Sequence, residues 1–584
     1  MLIFVYIILS CWLSAIWLYI LIFGILFAYS DVNLITIIMD IKQFGLSLKR
    51  LCKARAEAKP RLDYAEPQPK VRYNERLCKA RAEAKPCLDY AEPQPKVRYN
   101  ELCFRGIAYL IGLLLAFESM LLFACCCVSM IYGENDLMSF IISFTVCLSA
   151  SVVLLVYGRK RKSGPSRYEA YIVVALAWVF FTVFGMFPYL LGDFIPNVTD
   201  AFFETMSGFT TTGATILDNI ESMPHGILFW RSLTQWIGGL GIVCFTIVLL
   251  PGFGVSSQML YLSEATGVTH SKLCPKTRIM ARYIFMVYIL LTGVESVLLM
   301  SGGMGMFDAV CHSMATTATG GFSTKQESIA YWHSPYIEYV VSLFMLLSAI
   351  NFSLYLFAFK SDWKQIRQNL ELKWFASSIG LLTIIIGVAL VLNNGYGVEE
   401  AFRKALFQVA TCHTSCGFAT DDYNLWPPFT WMLLIFAMVS GGCTGSTSGG
   451  VKNLRLIIIV QCIRNQFRQI LHPRAVLPVR AGTLFDNKIV TMVLVFFAVY
   501  MAVAFMGWTL LMSCGVGFTE AMSTVISAMG NVGPGLGSFG PSFSWAAMPD
   551  AAKWILSSLM LIGRLEIFGF LLIFYRPTWK GSWS

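Results

Sequence analysis

Ten apolar runs, each long enough to cross a bilayer, follow one another between residues 105 and 575. They fall at 105–131, 137–157, 168–192, 226–250, 277–301, 333–358, 374–393, 428–460, 488–513 and 551–575. A helix needs about 20 apolar residues to span a hydrocarbon core of ~30 Å. Inside that core only a helix or a closed barrel satisfies its own backbone. Charged residues make up 13% of the 584, against about 25% in a typical soluble domain. These observations exclude a soluble enzyme, a disordered chain and a secreted disulfide scaffold. The expected fold class is an all-α polytopic membrane protein.

The net charge of +10 is distributed as a topology signal. Arg159-Lys160-Arg161-Lys162 follow the second run, and Lys272, Lys276 and Arg278 follow the fourth. Lys360, Lys364 and Arg367 follow the sixth, Arg464, Arg468 and Arg474 the eighth, and Arg576 and Lys580 the last. Every second loop is basic, which places those loops in the cytoplasm. No basic patch is interleaved with stacking aromatics, so no nucleic acid partner is expected. Many of the 17 cysteines sit inside apolar runs, as Cys125, Cys126 and Cys127 do. There they behave as small hydrophobes, and no disulfide framework is implied.

Residues 1–30 carry no charge and read as an additional apolar helix. Residues 31–104 form a basic, cytoplasmic segment with fifteen Lys/Arg against ten Asp/Glu. Within it, residues 51–75 recur at 77–101 with one change, Arg61 to Cys87. The copy is either a membrane-surface or partner-binding arm, or a recent duplication in a tolerant linker; its proline-rich, apolar-poor composition favours the linker.

Between alternate runs, from the third onward, lie short semi-apolar segments at 201–216, 308–324, 404–420 and 520–536. They share a pattern. Each begins with a polar residue and an alanine: Asp200-Ala201, Asp308-Ala309, Lys404-Ala405 and Glu520-Ala521. Thirteen residues after each polar position stands Gly213, Gly321, Gly417 or Gly533. A helix of about a dozen residues rises about 18 Å, roughly halfway into the core. The chain then returns in non-helical form, which is tolerated at that depth where it lines a polar path. Glycine permits the dihedrals that turn carbonyls toward a common axis. Four such loops make a ring of oxygens able to replace a cation's hydration shell, with hydroxyls of Thr211, Thr212, Thr319 and Ser415 as additional ligands. Helix C-termini aimed inward favour a cation there. Close helix packing is the plainer role for one such glycine; four in register point to a pseudo-fourfold pore. Its repeats fall at 168–250, 277–358, 374–460 and 488–575, after a two-helix domain at 105–160.

The stretches FFETMSGFTTTGATI (202–216), FWRSLTQWIGGLGI (229–242), HSMATTATGGFSTK (312–325), GFATDD (417–422), GGCTGSTSGGVKNLR (441–455), GNVGPGLG (530–537) and IGRLEIFG (562–569) carry a family resemblance. The chain resembles the Trk/Ktr/HKT potassium-transport superfamily, and within it the TrkH-type membrane subunit, over about residues 100–584. The resemblance implies potassium uptake across the cytoplasmic (inner) membrane by a homodimer in lipid, without enzymatic activity or bound cofactor. K+ is the transported ion. It also implies cytoplasmic TrkA-type regulatory subunits with nucleotide-binding RCK domains. The selectivity filter maps onto Thr211-Thr212-Gly213, Thr319-Gly320-Gly321, Ser415-Cys416-Gly417 and Asn531-Val532-Gly533. Potassium ligands are expected at Thr212, Gly213, Gly320, Gly321, Cys416, Gly417, Val532 and Gly533. Cys416 and Asn531-Val532 depart from a threonine-rich filter. A sodium-coupled or sodium-conducting transporter of the same superfamily is the alternative, and a non-conducting scaffold the remote one.

The run 428–460 is interrupted by SGGCTGSTSGG at Ser440 to Gly450. It reads as an intramembrane loop that blocks or opens the path, or as a packing kink. No Gly-Lys-Ser/Thr follows, so it is not a phosphate loop. In the resembling family this position is a gate, which implicates Gly441, Gly442, Thr444, Gly445, Ser446, Gly449 and Gly450. Arg564 lies within the last apolar run, where charge is expensive. Either it faces the pore as an electrostatic barrier, or it pairs with Glu566 and anchors the helix. Lys452 and Arg455 are expected as interfacial anchors. Arg231, with Gln235, is a candidate for pairing with acidic groups between repeats, or for packing. His312, His413, Cys412 and Cys416 match no zinc spacing well.

Overall fold

Long apolar stretches free of glycine clusters form long helices, and the chain breaks where polar or glycine residues interrupt them. The computed structural model describes residues 104–159, 167–249, 277–475, 477–481, 483–485, 487–567 and 569–571. The expected helix 1–30, the segment 31–103 with its tandem copies, and Lys160, Arg161, Lys162, Lys272, Lys276, Arg576 and Lys580 lie outside the described residues.

Two helices, α1 (Phe104–Tyr132) and α2 (Leu137–Gly158), form a hairpin. Four units follow. The first comprises α3 (Arg167–Gly185), the short α4 (Phe187–Leu191), α5 (Val198–Phe209) and α6 (His225–Leu249). The second comprises α7 (Thr277–Ser301), α8 (Met306–Thr317), α9 (Pro335–Ser348) and α10 (Phe352–Phe359). After α11 (Trp363–Gln368), the third comprises α12 (Leu370–Ala389), α13 (Val398–His413), α14 (Pro428–Ser440) and α15 (Asn453–Leu471). A two-residue ladder, Arg480–Ala481 against Thr483–Leu484, precedes the fourth unit. That unit comprises α16 (Asn487–Ser513), α17 (Phe518–Gly530) and α18 (Asp550–Arg564). Six helices among the described residues are long and apolar enough to cross a membrane, and a bent pair makes a seventh.

The short helices α5, α8, α13 and α17 are mostly buried and set the molecule's symmetry. Each packs on the closing helix of the preceding unit: α8 on α6, α13 on α9, α17 on α14, and α5 on α18. The last contact closes the ring. Their apolar faces join the buried core through residues such as Phe203, Ala309, Phe407 and Val525.

Three expected spans are broken. The run 333–358 is two helices, α9 and α10, meeting at 96°. The break falls at Ala349–Asn351, where the Asn351 side chain accepts the Ser353 N–H (2.8 Å) and caps α10. Asparagine is a favoured N-cap because its oxygen satisfies an orphan helix donor. The run 428–460 is α14 and α15, separated by residues 441–452. The last helix ends at Arg564, because Glu566 and Ile567 take left-handed backbone at φ 52° and 53°.

Candidate functional site

The four short helices end identically. Thr211, Thr319, Ser415 and Asn531 adopt φ between 52° and 54°, in the left-handed region. The next amide returns to a carbonyl five residues back: Thr212 to Ser207, Gly320 to Ala315, Cys416 to Thr411 and Val532 to Ser527, at 2.8–2.9 Å. This is the Schellman helix ending. Gly213, Gly321, Gly417 and Gly533 follow at φ 81°, 78°, 92° and 109°.

The four loops then meet in a closed cycle. A Cβ added at Gly213 would strike the Gly320 carbonyl oxygen; at Gly321, that of Cys416; at Gly417, that of Val532; at Gly533, that of Thr212. Each of these four glycines thus lies against the carbonyl preceding the glycine of the next loop. All twelve predicted residues of these loops are brought together. Thr211 Oγ1 and Asn531 Oδ1 are buried there without a protein hydrogen-bond partner. A cavity lined by all four glycines, Phe322, Lys325 and Trp545 opens beside them.

Buried polar residues hold the loops from behind. Glu204 on α5 accepts from Arg231 Nε (2.9 Å), Thr215 Oγ1 (3.0 Å) and the Ile216 amide (2.9 Å). Arg231 also donates to the Ser323 carbonyl (3.0 Å) and lies over the Phe322 ring. Gln235 clamps the second loop, donating to the Gly320 carbonyl (2.6 Å) and accepting from the Phe322 amide (3.0 Å). Arg231 and Gln235, both on α6, therefore join the first unit to the second. His312 is hydrogen-bonded to the Asp308 carbonyl (2.7 Å) and Ser323 Oγ (2.9 Å), and His413 to Ser378 Oγ (2.7 Å). Among the described residues, no three His, Cys, Asp or Glu gather as a metal site.

Residues 441–452 pack against the helix-terminal side of these loops. Thr447 Oγ1 contacts the Thr317 carbonyl (3.2 Å) and Thr319 Oγ1 (3.4 Å). The Gly449 amide donates to Ser415 Oγ (2.6 Å). A Cβ at Gly449 would strike the Gly530 carbonyl, so this stretch passes close to the fourth loop. Gly441, Gly445 and Gly450 hold φ of 65–75°. Gly442 and Ser446 are buried alongside.

Arg564 donates to the Thr447 carbonyl and to the Gly238 carbonyl, each at 2.8 Å. Gly238 in turn abuts Phe209 and Thr211. Glu566, the partner named in the anchoring alternative, pairs with Arg455. Lys452 and Arg455, expected as interfacial anchors, are buried within the protein, and Lys452 Nζ donates to the Ser448 carbonyl. A charge this deep needs a partner, and each has one. The sequence reading missed Glu204, Glu371, which accepts from the Thr444 amide (2.7 Å), and Gln408, which donates to the Asp421 carbonyl (3.1 Å). One signal existed: Glu204, His312 and Gln408 each stand nine residues before one of the four loop glycines.

With this geometry described, comparison with known proteins places the chain. A family model described as TrkH, a cation transport protein, matches residues 136–580. The Trk system potassium uptake protein TrkH of Escherichia coli (strain K12) is 35% identical over 489 residues, covering 82% of this chain and 99% of that protein. The Trk system potassium uptake protein TrkG of the same strain is 33% identical over 486 residues, with the same coverage. The crystal structure of the potassium transporter TrkH from Vibrio parahaemolyticus matches with a TM-score of 0.74 at 33% identity, covering 82% of this chain and 100% of that one. The chain belongs to the TrkH family of cation transport proteins.

Proposed function

We propose that the chain takes up potassium through the ring formed by Thr212-Gly213, Gly320-Gly321, Cys416-Gly417 and Val532-Gly533. The observation that carries this reading is the closed glycine-to-carbonyl cycle. Backbone oxygens from four loops replace a hydration shell, and the four helix C-termini behind them favour positive charge. The oxygens of Thr211 and Asn531 that lack a protein donor are available to an ion. Membrane potential supplies about 2.3 kcal/mol per charge per 100 mV. Residues 441–450 and Arg564 form the gate: the guanidinium places positive charge at the ring's inner side and holds Thr447 across it. The relatives' names support potassium as the ion and a multi-component Trk system. The cytoplasmic (inner) membrane, a homodimer and TrkA-type regulatory subunits complete the proposal.

Gly321→Ser tests it. The added Cβ would press on the Cys416 carbonyl and distort the ring on one side. Ion flux into liposomes containing the variant should show a lower preference for K+ over Na+. Identical ion ratios in variant and parent would remove Gly321 from the selectivity filter and with it the four-loop reading.

A further inference from the structure

Two handles hold adjacent residues of the 441–452 segment, and both belong to one stretch of chain. The Phe352 amide, which opens α10, donates to the Gly445 carbonyl (3.1 Å). Glu371, in the first turn of α12, accepts from the Thr444 amide (2.7 Å) and from Thr444 Oγ1 (2.9 Å). A further bond joins the Cys443 amide to the Ala349 carbonyl (2.9 Å), on the other side of the 96° bend. Between the handles the chain runs out through α10 and α11, exposing Lys360, Lys364 and Arg367. It then returns directly to Glu371.

Glu371 is 7% exposed, and its carboxylate satisfies the donors of Thr444. A buried amide deprived of its acceptor is costly, and bonds to a charged acceptor are the stronger kind. Thr444 and Gly445 lie two to three residues before Thr447, which touches Thr319 and is held by Arg564. Movement of the exposed stretch therefore reaches the ring's inner face through a short, hydrogen-bonded path. Such a path counts as coupling when it has two arrangements biased from its far end.

We propose that residues 352–371 are the lever of the gate, and that Glu371 is the positioning residue latching Thr444 in the closed arrangement. This rests on the gate reading above. Force applied at the basic outer end of the lever, by a cytoplasmic subunit, draws the Thr444–Gly445 limb away and releases Thr447.

Glu371→Ala, Thr444→Val and the double variant test the latch in liposome flux of K+ and Na+. Glu371→Ala should raise basal K+ flux on the order of tenfold, the effect of losing charge-assisted bonds. Its ion preference should match the parent. Thr444→Val, which keeps the amide donor, should raise flux less. The double variant should not exceed Glu371→Ala, since both remove one contact. Glu371→Asp should restore part of the closure. Unchanged or reduced flux in Glu371→Ala, multiplying effects in the double variant, or altered ion preference would each overturn the lever. If Glu371→Ala does not accumulate in membranes, Thr444→Val alone decides, because it removes only a hydroxyl. A chain lacking residues 441–450 separates the two readings. Raised flux there with no effect of Glu371→Ala in the full chain defeats the lever alone; unchanged flux there defeats the gate.

Discussion

Thr211, Thr319, Ser415 and Asn531 hold left-handed backbone where glycine would sit without strain. The conformation costs roughly 1–2 kcal/mol for each L-residue, and their side chains show why it is tolerated. Ser415 Oγ receives the Gly449 amide, Thr319 Oγ1 meets Thr447, and Asn531 Nδ2 donates to Thr212 Oγ1 (3.0 Å) and the Met560 carbonyl (3.0 Å). Thr319 and Ser415 thus turn the chain and also bond the 441–452 segment, which glycine side chains could not do. Behind the ring, the Arg231–Glu204 pair is almost wholly buried, at 1% and 0% side-chain exposure. Arg231→Ala leaves a carboxylate uncompensated and should cost about 3–5 kcal/mol. Replacing both partners with apolar residues of similar volume should cost less. Thermal unfolding of the purified variants measures this; an unchanged midpoint for Arg231→Ala would show that Glu204 is satisfied without it. The glycines of the ring were legible because their spacing repeats. The residues two positions earlier were read as part of the same loops, but their left-handed backbone was not, since threonine does not favour it. Glu204 was equally hidden, a lone acid whose partner Arg231 is 27 residues away.

Among the elements, what broke a helix determined what could be read. The five glycines Gly441, Gly442, Gly445, Gly449 and Gly450, with Ser and Thr between them, suffice to mark an interruption in an apolar run. The 96° bend between α9 and α10 left no such mark: Ala349, Ile350 and Asn351 read as continuous helix, and the bend depends on bonds to Cys443 and Gly445, about a hundred residues on. Arg564 was legible as a costly charge, but its partners were not, because both are backbone carbonyls from other units. Its role at this scale is to tie the 441–452 segment to α6. Arg564→Ala removes that tie and a positive charge beside the ion path. Single-channel recording or ion flux should show increased conductance with the K+ over Na+ preference intact. A decrease would mean that the arginine supports the pore's structure and is not a barrier to ions.

For the whole molecule, the cyclic packing of each short helix on the preceding unit's closing helix makes four loops act as one site. Units also hold one another's loops: α6 of the first clamps the second through Gln235, and α18 of the fourth packs on α5 of the first. A site made of four loops therefore needs all four units, and the family match at 136–580 embraces all of them and leaves out α1. Residues 1–99 stand outside this logic. The match to Escherichia coli TrkH covers 99% of that protein with 82% of this chain, so a transporter of this family works without such an extension. The tandem copy at 51–75 and 77–101 differs at one position. A chain beginning at residue 100, with an initiating methionine, should restore growth of potassium-uptake-deficient cells at low potassium as well as the full chain does. Equal amounts in the membrane, measured by immunoblot, make the comparison fair. Loss of rescue at equal abundance would give the basic segment an essential part in uptake and would require a partner or lipid surface for its fifteen Lys/Arg.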